Sequence, residues 1–176
     1  MSKDDLVMQR FLESQCADAN ALAAASDLLS LYPYGNPPHQ LYRAAFRCGG
    51  LVCRPGGEIG PADHFEVLIR FPDDYLRKAN PMEVVTWLGP PNVWHPNIRP
   101  PVVCVGHIAP GTRLVDLLYQ LHEIITWRKV TMNEFDALNH AACQWARDNT
   151  NLFPVDATPL KRRDVSFAVE TAREEG

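Results

Sequence analysis

Residues 89–107 read GPPNVWHPNIRPPVVCVGH, and they differ from the rest of the chain in their density of proline. Five of the first 13 residues in this stretch are proline. Because proline fixes φ and has no N–H to donate, the stretch is predicted to be a stiff, non-helical loop. A rigid loop that holds the polar triplet His95-Pro96-Asn97 and then Cys104 suits a positioned site better than an ordinary connection. The loop is therefore the candidate functional site.

The prolines on either side of this loop divide the chain into three regions. None precedes Pro33, thirteen lie between Pro33 and Pro110, and none lies between Gly111 and Phe153. Proline is excluded from helix interiors and central strand positions, so the pattern predicts a helix, then strands with proline-rich connections, then helices. Residues 4–31 are predicted to form one long helix or two short ones. Strand-like runs, which predict a short antiparallel meander, follow at residues 41–47, 64–71 and 82–88.

Beyond the loop, apolar residues recur at helical spacing. One stripe follows the i, i+3, i+4 pattern and consists of Leu114, Leu117, Leu118, Leu121, Ile124 and Ile125. Thr112 is predicted as the N-cap of this helix, and Thr131 with Glu134 has the capping-box spacing that opens a second helix. A helix, a meander and further helices predict one α+β domain over residues 1–150. Residues 151–176 are predicted to form a C-terminal extension packed on that domain, with a last helix from Lys161.

Composition limits the classes of function. Apolar residues make up 46% of the 176 and charged residues 22%, both near globular averages, so a disordered or fibrous chain is excluded. A net charge of −4 makes a phosphate-binding nucleic-acid partner a poor candidate. No apolar run is long enough to span a bilayer, and residues 1–30 show no pattern of a signal peptide. Five cysteines without repeated spacing favour a reducing, cytoplasmic compartment over a disulfide framework.

Four landmarks occur in a definite order along the chain. Residues 71–75 read FPDDY, residues 95–97 read HPN, residues 102–105 read VVCV, and residues 138–145 read LNHAACQW. They resemble, in order, the FPxDYP turn, the HPN signature, the active-site cysteine segment and the third helix of the ubiquitin-conjugating (E2) family. The resemblance covers roughly residues 1–150. It implies a UBC-like fold with an N-terminal helix, a short antiparallel β-meander, an active-site loop and two or three C-terminal helices.

The resemblance implies that the protein is a thioester carrier. The Cys104 sulfur would accept the C-terminal glycyl group of a ubiquitin-like protein from an E1-like activating enzyme, then yield it to an amine on a protein substrate. Asn97 would stabilise the oxyanion of that transfer with its side-chain amide, or would brace the loop by hydrogen bonds to its backbone; both roles stay open. His95 is expected to be structural, with its ring bonded to nearby backbone. No cofactor, nucleic acid or membrane is expected as a partner.

Acids after the cysteine are further candidates, because many members of the family hold a carboxylate there that orients the incoming lysine. Glu134 and Asp136 lie 30 and 32 residues past Cys104. The capping-box spacing of Glu134 gives it a separate, structural reason to be present. Cys16 and Cys143 lie on predicted apolar helix faces, and the other two cysteines flank a glycine-rich turn, so these four are interpreted as structural.

Several positions depart from the family pattern. The interval from Asn97 to Cys104 is one residue shorter than usual, and Arg99-Pro100-Pro101 replaces the usual small residues. Leu76-Arg77 stands where many members have Pro-Phe to contact a ligase. With these departures the chain looks like the divergent E2-like proteins of bacterial ubiquitin-like conjugation operons, which are associated with defence against phage.

Alternative functions make different use of the same residues. A catalytically inactive UBC or RWD-type module would keep the scaffold and bind partners of a ubiquitin-like pathway without chemistry. A zinc site could use Cys104 and His107, spaced C-x2-H, with His95, but no second ligand pair is evident. A Cys-His hydrolase lacks a visible oxyanion hole and a third orienting group.

Overall fold

The computed structural model of the chain describes residues 3–162. Its regular elements are α1 (Lys3–Ala24), β1 (Leu29–Tyr34), β2 (Leu41–Phe46), β3 (Gly50–Cys53), β4 (Ile59–Ala62), β5 (Phe65–Arg70), α2 (Pro81–Val84), β6 (Val85–Gly89), β7 (Ile98–Arg99), β8 (Val102–Val103), α3 (Leu114–Ile125) and α4 (His140–Asp148). A 3-10 turn, Thr150–Leu152, follows α4. The predicted α+β class is confirmed: an N-terminal helix precedes a six-stranded antiparallel sheet and further helices.

Six strands form the main sheet in the order β1-β2-β5-β6-β8-β7, while β3 and β4 pair as a separate hairpin. The strand predicted at residues 64–71 is confirmed as β5, in which the buried residues Phe65, Val67 and Ile69 alternate with more exposed ones. Successive side chains of a strand point to opposite faces, so one face of the sheet covers the core and the other remains accessible.

The core lies between the sheet, α1 and α3. All six residues of the predicted α3 stripe are buried, which confirms that helix and its inward face. Burying each such leucine or isoleucine side chain contributes about 1.5–3 kcal/mol relative to leaving it in water. This packing holds α3 rigidly behind the loop that leads to it.

The N-terminus of α3 is capped by another helix. The cap position is Arg113, not Thr112 as predicted, and its side chain makes no capping hydrogen bond. Instead the backbone N–H of Leu114 donates to Oε1 of Gln15 on α1, at 2.8 Å in a buried environment. The Thr112 hydroxyl donates to the carbonyl of Ala109 at 2.7 Å and so stabilises the preceding turn.

Replacing Gln15 with alanine is expected to lower the free energy of unfolding by about 1–2 kcal/mol, because it leaves a buried N–H of α3 without an acceptor. Urea unfolding followed by circular dichroism measures the change. The matched control is Gln144→Ala on α4, whose exposed side chain donates to Asp148 at 2.9 Å and should cost less than about 0.5 kcal/mol. Equal stability of the Gln15 and Gln144 variants would contradict the cap.

The predicted helix over residues 4–31 is correct only in its first part. Residues 29–31 belong to β1, which also contains Pro33. Leu28 and Leu29 fall within the predicted helical range, but Leu28 precedes an edge strand and Leu29 begins it. Proline is tolerated there because an edge strand has one unpaired side. The glycine-rich segment between Cys48 and Cys53 is predicted only as a turn, but Gly50 begins β3, which pairs with β4 as a hairpin.

The second helix does not begin at Thr131, contrary to the capping-box prediction. It begins at His140, and the Oδ1 of Asn139 caps it by accepting from the N–H of Ala142 at 3.1 Å. Residues 131–139 form an irregular loop, because the N–H groups of Leu138 and Asn139 both donate to the carbonyl of Pro96 instead of to a helical turn. Long-range bonds of this kind leave no local sequence signal.

Residues 153–162 lie against the rest of the fold. The Phe153 ring packs against Trp127 and Trp145, with centroids 4.7 and 6.5 Å away. The Asp156 carbonyl accepts from Nε of Arg128 at 2.9 Å, and Leu160 is buried. The last helix predicted from Lys161 falls almost entirely on residues 163–176, outside the described residues. Among the helices of residues 3–162, none is both long enough and apolar enough to cross a membrane.

Candidate functional site

The candidate site lies where the main sheet passes into its short terminal hairpin. Pairing of Arg99 with Val102 forms the β7–β8 hairpin, and pairing of Thr86 with Val102 attaches it to β6. Cys104 follows β8 directly, so the sheet fixes the chain up to the residue before the thiol. Cys104 itself is half-buried.

Asn97 and Cys104, the two residues predicted to form the site, lie together. The backbone N–H of Cys104 donates to the carbonyl of Asn97 at 2.8 Å. The side-chain amide of Asn97 donates to the carbonyl of Cys104 at 3.3 Å. One asparagine therefore holds both the N–H and the C=O of the cysteine, which fixes the backbone from which the thiol projects.

Asn97 is only 3% exposed, and the remaining polar groups of its side chain bind Thr131. Its Nδ2 donates to the Thr131 hydroxyl at 2.9 Å, and its Oδ1 accepts from the Thr131 backbone N–H at 2.9 Å. Both amide N–H groups are thus engaged in hydrogen bonds to the protein. Of the two roles that the sequence leaves open for Asn97, this geometry favours bracing of the loop.

His95 contacts Asn97 from the buried side of the loop and is only 1% exposed. Its Nδ1 accepts from the backbone N–H of Asn97 at 3.0 Å, as predicted for a structural histidine, so the neutral ring carries its proton on Nε2. The ring meets Trp127 edge-on, with centroids 4.7 Å apart. Burial lowers the pKa of His95 to about 3 because the charged ring would lose its hydration.

The cysteines differ in their access to solvent, and all five are free thiols. Cys48 and Cys143 are buried, and burial raises the pKa of Cys48 to about 12. Cys143 Sγ donates to the Thr131 carbonyl at 3.6 Å and so contributes to the packing behind the loop. Cys16 and Cys53 are half-buried like Cys104 but lie outside the His95–Asn97 loop. Cys53 is braced in a similar way, because its N–H donates to the Asn92 carbonyl at 2.8 Å and the Asn92 amide donates to its carbonyl at 2.9 Å. Cys104 differs because the asparagine that braces it is buried, whereas Asn92 is exposed.

Two further residues hold the site, and the sequence did not single them out for it. The capping-box spacing predicts Thr131 as a helix cap, but its hydroxyl and N–H bind Asn97 instead. Lys129 donates from Nζ to the carbonyl of Val105 at 3.0 Å, next to the cysteine. Both follow α3 closely in the chain, and only the tertiary fold brings them to the loop. No local pattern indicates them.

The predicted acids lie on an irregular loop instead of a helix. Glu134 forms an ion pair with Arg147 at 3.1 Å, and Asp136 accepts from the Asn133 side-chain amide at 2.8 Å. The part of either acid in orienting an incoming lysine stays a prediction.

The geometry gives little support to a zinc site. Within residues 3–162, no group of three or more histidine, cysteine, aspartate or glutamate side chains is arranged to hold a metal ion. The Nδ1 of His95 accepts a hydrogen bond from the Asn97 N–H, and this nitrogen is therefore not free to bind a metal.

No protein-family model matches the chain, and no curated protein is significantly similar to it in sequence.

Proposed function

We propose that the protein is an E2-type conjugating enzyme that carries a ubiquitin-like protein as a thioester on Cys104 and transfers it to an amine of a protein substrate. The observation that carries this proposal is a half-buried cysteine whose backbone N–H and C=O are both held by the buried Asn97, which is itself held by His95 and Thr131. A UBC-like arrangement of the N-terminal helix, sheet, loop and later helices belongs to the same proposal, as does a cytoplasmic location.

The chemistry proceeds in two balanced steps. The Cys104 thiolate attacks the thioester carbonyl that joins the modifier to its activating enzyme, the new C–S bond forms, and the old C–S bond breaks so that the activating enzyme's cysteine leaves as a thiolate. A neutral lysine amine of the substrate then attacks the new thioester, so that an amide C–N bond forms, the C–S bond breaks, the Cys104 thiolate returns and the nitrogen releases one proton to solvent. A thiolate is both a strong nucleophile and a good leaving group, which suits each step.

The hydrogen bonds from Asn97 contribute to both transfers by holding the Cys104 backbone, and so the sulfur, in one position. A carrier must present its thioester to a large donor and later to a large acceptor, so the sulfur has to be accessible while its backbone stays fixed. Fixing the reacting atom reduces the orientational freedom that each transfer must otherwise restrict. Neutral His95 holds the N–H of Asn97 and extends this rigidity into the core.

Cys104→Ala is expected to abolish formation of a thiol-sensitive adduct. The donor is a synthetic peptide that ends in Gly-Gly with a C-terminal thioester of mercaptoethanesulfonate, which can exchange with an accessible thiolate without an activating enzyme. Intact mass spectrometry before and after dithiothreitol measures the adduct.

Cys53→Ala is the matched control, because Cys53 is also half-buried but lies on β3. This variant should load like the wild type. Loss of the adduct in Cys53→Ala with retention in Cys104→Ala would overturn the proposal. A wild-type protein that forms no adduct on Cys104, either with this donor or with an E1-like enzyme, ATP and a ubiquitin-like protein, would favour the inactive binding module.

A further inference from the structure

The Trp127 side chain contacts the active-site loop and two later segments through aromatic rings. Its ring centroid is 4.7 Å from that of His95 in the loop and 5.6 Å from that of Trp145 on α4. The third ring, Phe153, is 4.7 Å away and belongs to the segment after residue 150. Trp127 is buried, so these contacts are sheltered from water. The segment after residue 150 therefore reaches the active-site loop through one buried ring.

The backbone of Trp127 has a conformation that bulky residues rarely adopt. Its φ is 61°, and among residues 3–162 it is the only residue other than glycine with a positive φ. A residue with a Cβ has a higher free energy in this left-handed region, and it stays there only where surrounding contacts hold it. The aromatic contacts of Trp127 supply that restraint. Removing one of them weakens what keeps the Trp127 ring against His95.

His95 depends on packing for the orientation of its ring. Its Nδ1 accepts one hydrogen bond, of 3.0 Å, from the Asn97 N–H, whereas its Nε2 is buried and makes no hydrogen bond within residues 3–162. One hydrogen bond alone leaves an imidazole ring able to tilt about that contact. The side chains packed on the ring must prevent the tilt, and Trp127 meets it at an interplanar angle of 68°.

The segment that carries Phe153 is anchored outside the active-site loop. The Asp156 carboxylate accepts from the backbone N–H of Gly49 at 3.3 Å. Leu160 is buried in the core between the sheet, α1 and α3. The Arg162 N–H donates at 2.9 Å to the backbone carbonyl that follows α1. These anchors hold Phe153 in place without using the active-site loop.

A continuous set of contacts joins Phe153 to the cysteine. Phe153 packs on Trp127, which packs on His95. His95 accepts from the N–H of Asn97, and Asn97 holds the N–H and the C=O of Cys104. A displacement passes along such a series only where each member is held by the one before it. The strained backbone of Trp127 and the single hydrogen bond of the His95 ring both meet this condition.

We propose that Phe153 is a positioning residue for Cys104, because its ring keeps Trp127 and His95 in the arrangement that fixes the Asn97 brace. The active site then depends on a side chain beyond residue 150, where the resemblance in sequence stops. The inference rests on the proposed function, because it concerns the position from which Cys104 takes part in both transfers.

Phe153→Ala is expected to shift or broaden the NMR signals of the Cys104 amide and of the Asn97 side-chain amide in the unloaded protein. The matched control is Leu160→Ala, because Leu160 lies on the same segment but belongs to the core between the sheet, α1 and α3 and not to the cluster around Trp127. Leu160 is buried whereas Phe153 is half-buried, so the control should lose at least as much stability and yet leave both signals in place. Phe153→Tyr, which keeps the ring, should resemble the wild type.

Single-turnover kinetics supply the second readout. Phe153→Ala should lower the maximal rate of loading from the Gly-Gly thioester peptide, and the rate of discharge to free L-lysine, by about fivefold or more. The donor concentration at half-maximal rate should not change, because positioning acts on the reacting atom and not on donor binding. Leu160→Ala, measured at a temperature where it is folded, should keep both rates within about twofold of the wild type.

The possible failures are distinguishable. If Phe153→Ala leaves the Cys104 and Asn97 signals unchanged, or if Leu160→Ala moves them equally, the positioning inference is overturned whether or not Cys104 carries a thioester. Selective movement of the signals with unchanged rates would overturn it as well. If the signals move selectively but Cys104 forms no thioester, the positioning by Phe153 stands and the proposed transfer reaction is overturned. Phe153→Leu, which keeps apolar volume but not the ring, replaces Phe153→Ala in every comparison if the alanine variant does not fold.

Discussion

Asn97→Ala is expected to lower the free energy of unfolding by about 3 kcal/mol, because three side-chain hydrogen bonds in a buried environment are lost together. The groups left without partners are the Cys104 carbonyl and the hydroxyl and N–H of Thr131. Loading of Cys104 and discharge of its thioester should both slow by about 10–100-fold, because the backbone beneath the sulfur loses its fixed position. Urea unfolding and single-turnover loading and discharge measure the three effects.

Asn92→Ala is the matched control for this prediction. Asn92 is exposed, and its side chain also donates to a cysteine carbonyl, that of Cys53, at 2.9 Å. This variant should lose less than about 1 kcal/mol and keep both rates. Normal loading of Asn97→Ala combined with selectively slow discharge would show instead that the amide stabilises the oxyanion. The loss of stability in Thr131→Val should lie between those of Asn92→Ala and Asn97→Ala. This variant removes the hydroxyl that accepts from Asn97 but keeps the backbone N–H that donates to it.

Acidification from pH 6.5 towards pH 3 is expected to destabilise the protein by up to about 5 kcal/mol through His95 alone. Burial lowers the pKa of the folded-state ring to about 3, whereas the ring of the unfolded chain binds a proton below about 6.5. Between these values the unfolded state binds more protons, so stability falls as the pH falls. The contribution is fully present above pH 6.5.

His95→Asn tests this effect, because its side-chain oxygen can accept from the Asn97 N–H as Nδ1 does. The variant should be less stable than the wild type at pH 7, since contact with Trp127 is lost, and the difference should shrink steadily as the pH falls. Urea unfolding at several pH values between 7 and 4 measures it. His140→Asn, at an exposed position on α4, should leave the pH dependence unchanged.

Burial also lowers the pKa of His122, which adds a dependence of the same sign. For this reason the effect of His95 is read from the difference in free energy of unfolding between the wild type and His95→Asn at each pH. The pH dependence of the wild type alone also contains the contribution of His122. Parallel pH curves for the wild type and His95→Asn would contradict the assignment.

The sequence correctly predicted the helices and strands that are determined by the pattern of residues within the element itself. The α3 stripe and the alternation of β5 each follow from the spacing of apolar residues within one element, and both are confirmed. The helix predicted at Thr131 failed because its capping-box pattern is also local, while the bonds of Leu138 and Asn139 to Pro96 come from a distant segment. A tertiary contact outweighed a favourable local propensity.

The same distinction applies to the site. The proximity of Asn97 and Cys104 could be predicted because both belong to one short proline-rich loop. The contribution of Thr131 could not be predicted, because Thr131 lies 34 positions after Asn97 and its hydrogen bonds depend on how α3 returns the chain to the loop. Likewise, Phe135 falls within the helix predicted to open at Thr131, and only the loop conformation reveals that the residue is exposed.

The ring contacts of Trp127 affect how the protein unfolds. Trp127 has a φ of 61°, a left-handed conformation that ends α3 and turns its side chain between His95 and Phe153. The active-site loop and the segment after residue 150 thus share one aromatic contact and cannot separate without exposing it. We expect them to melt as a single cooperative unit, so that a boundary visible in the sequence near residue 150 is not a thermodynamic boundary.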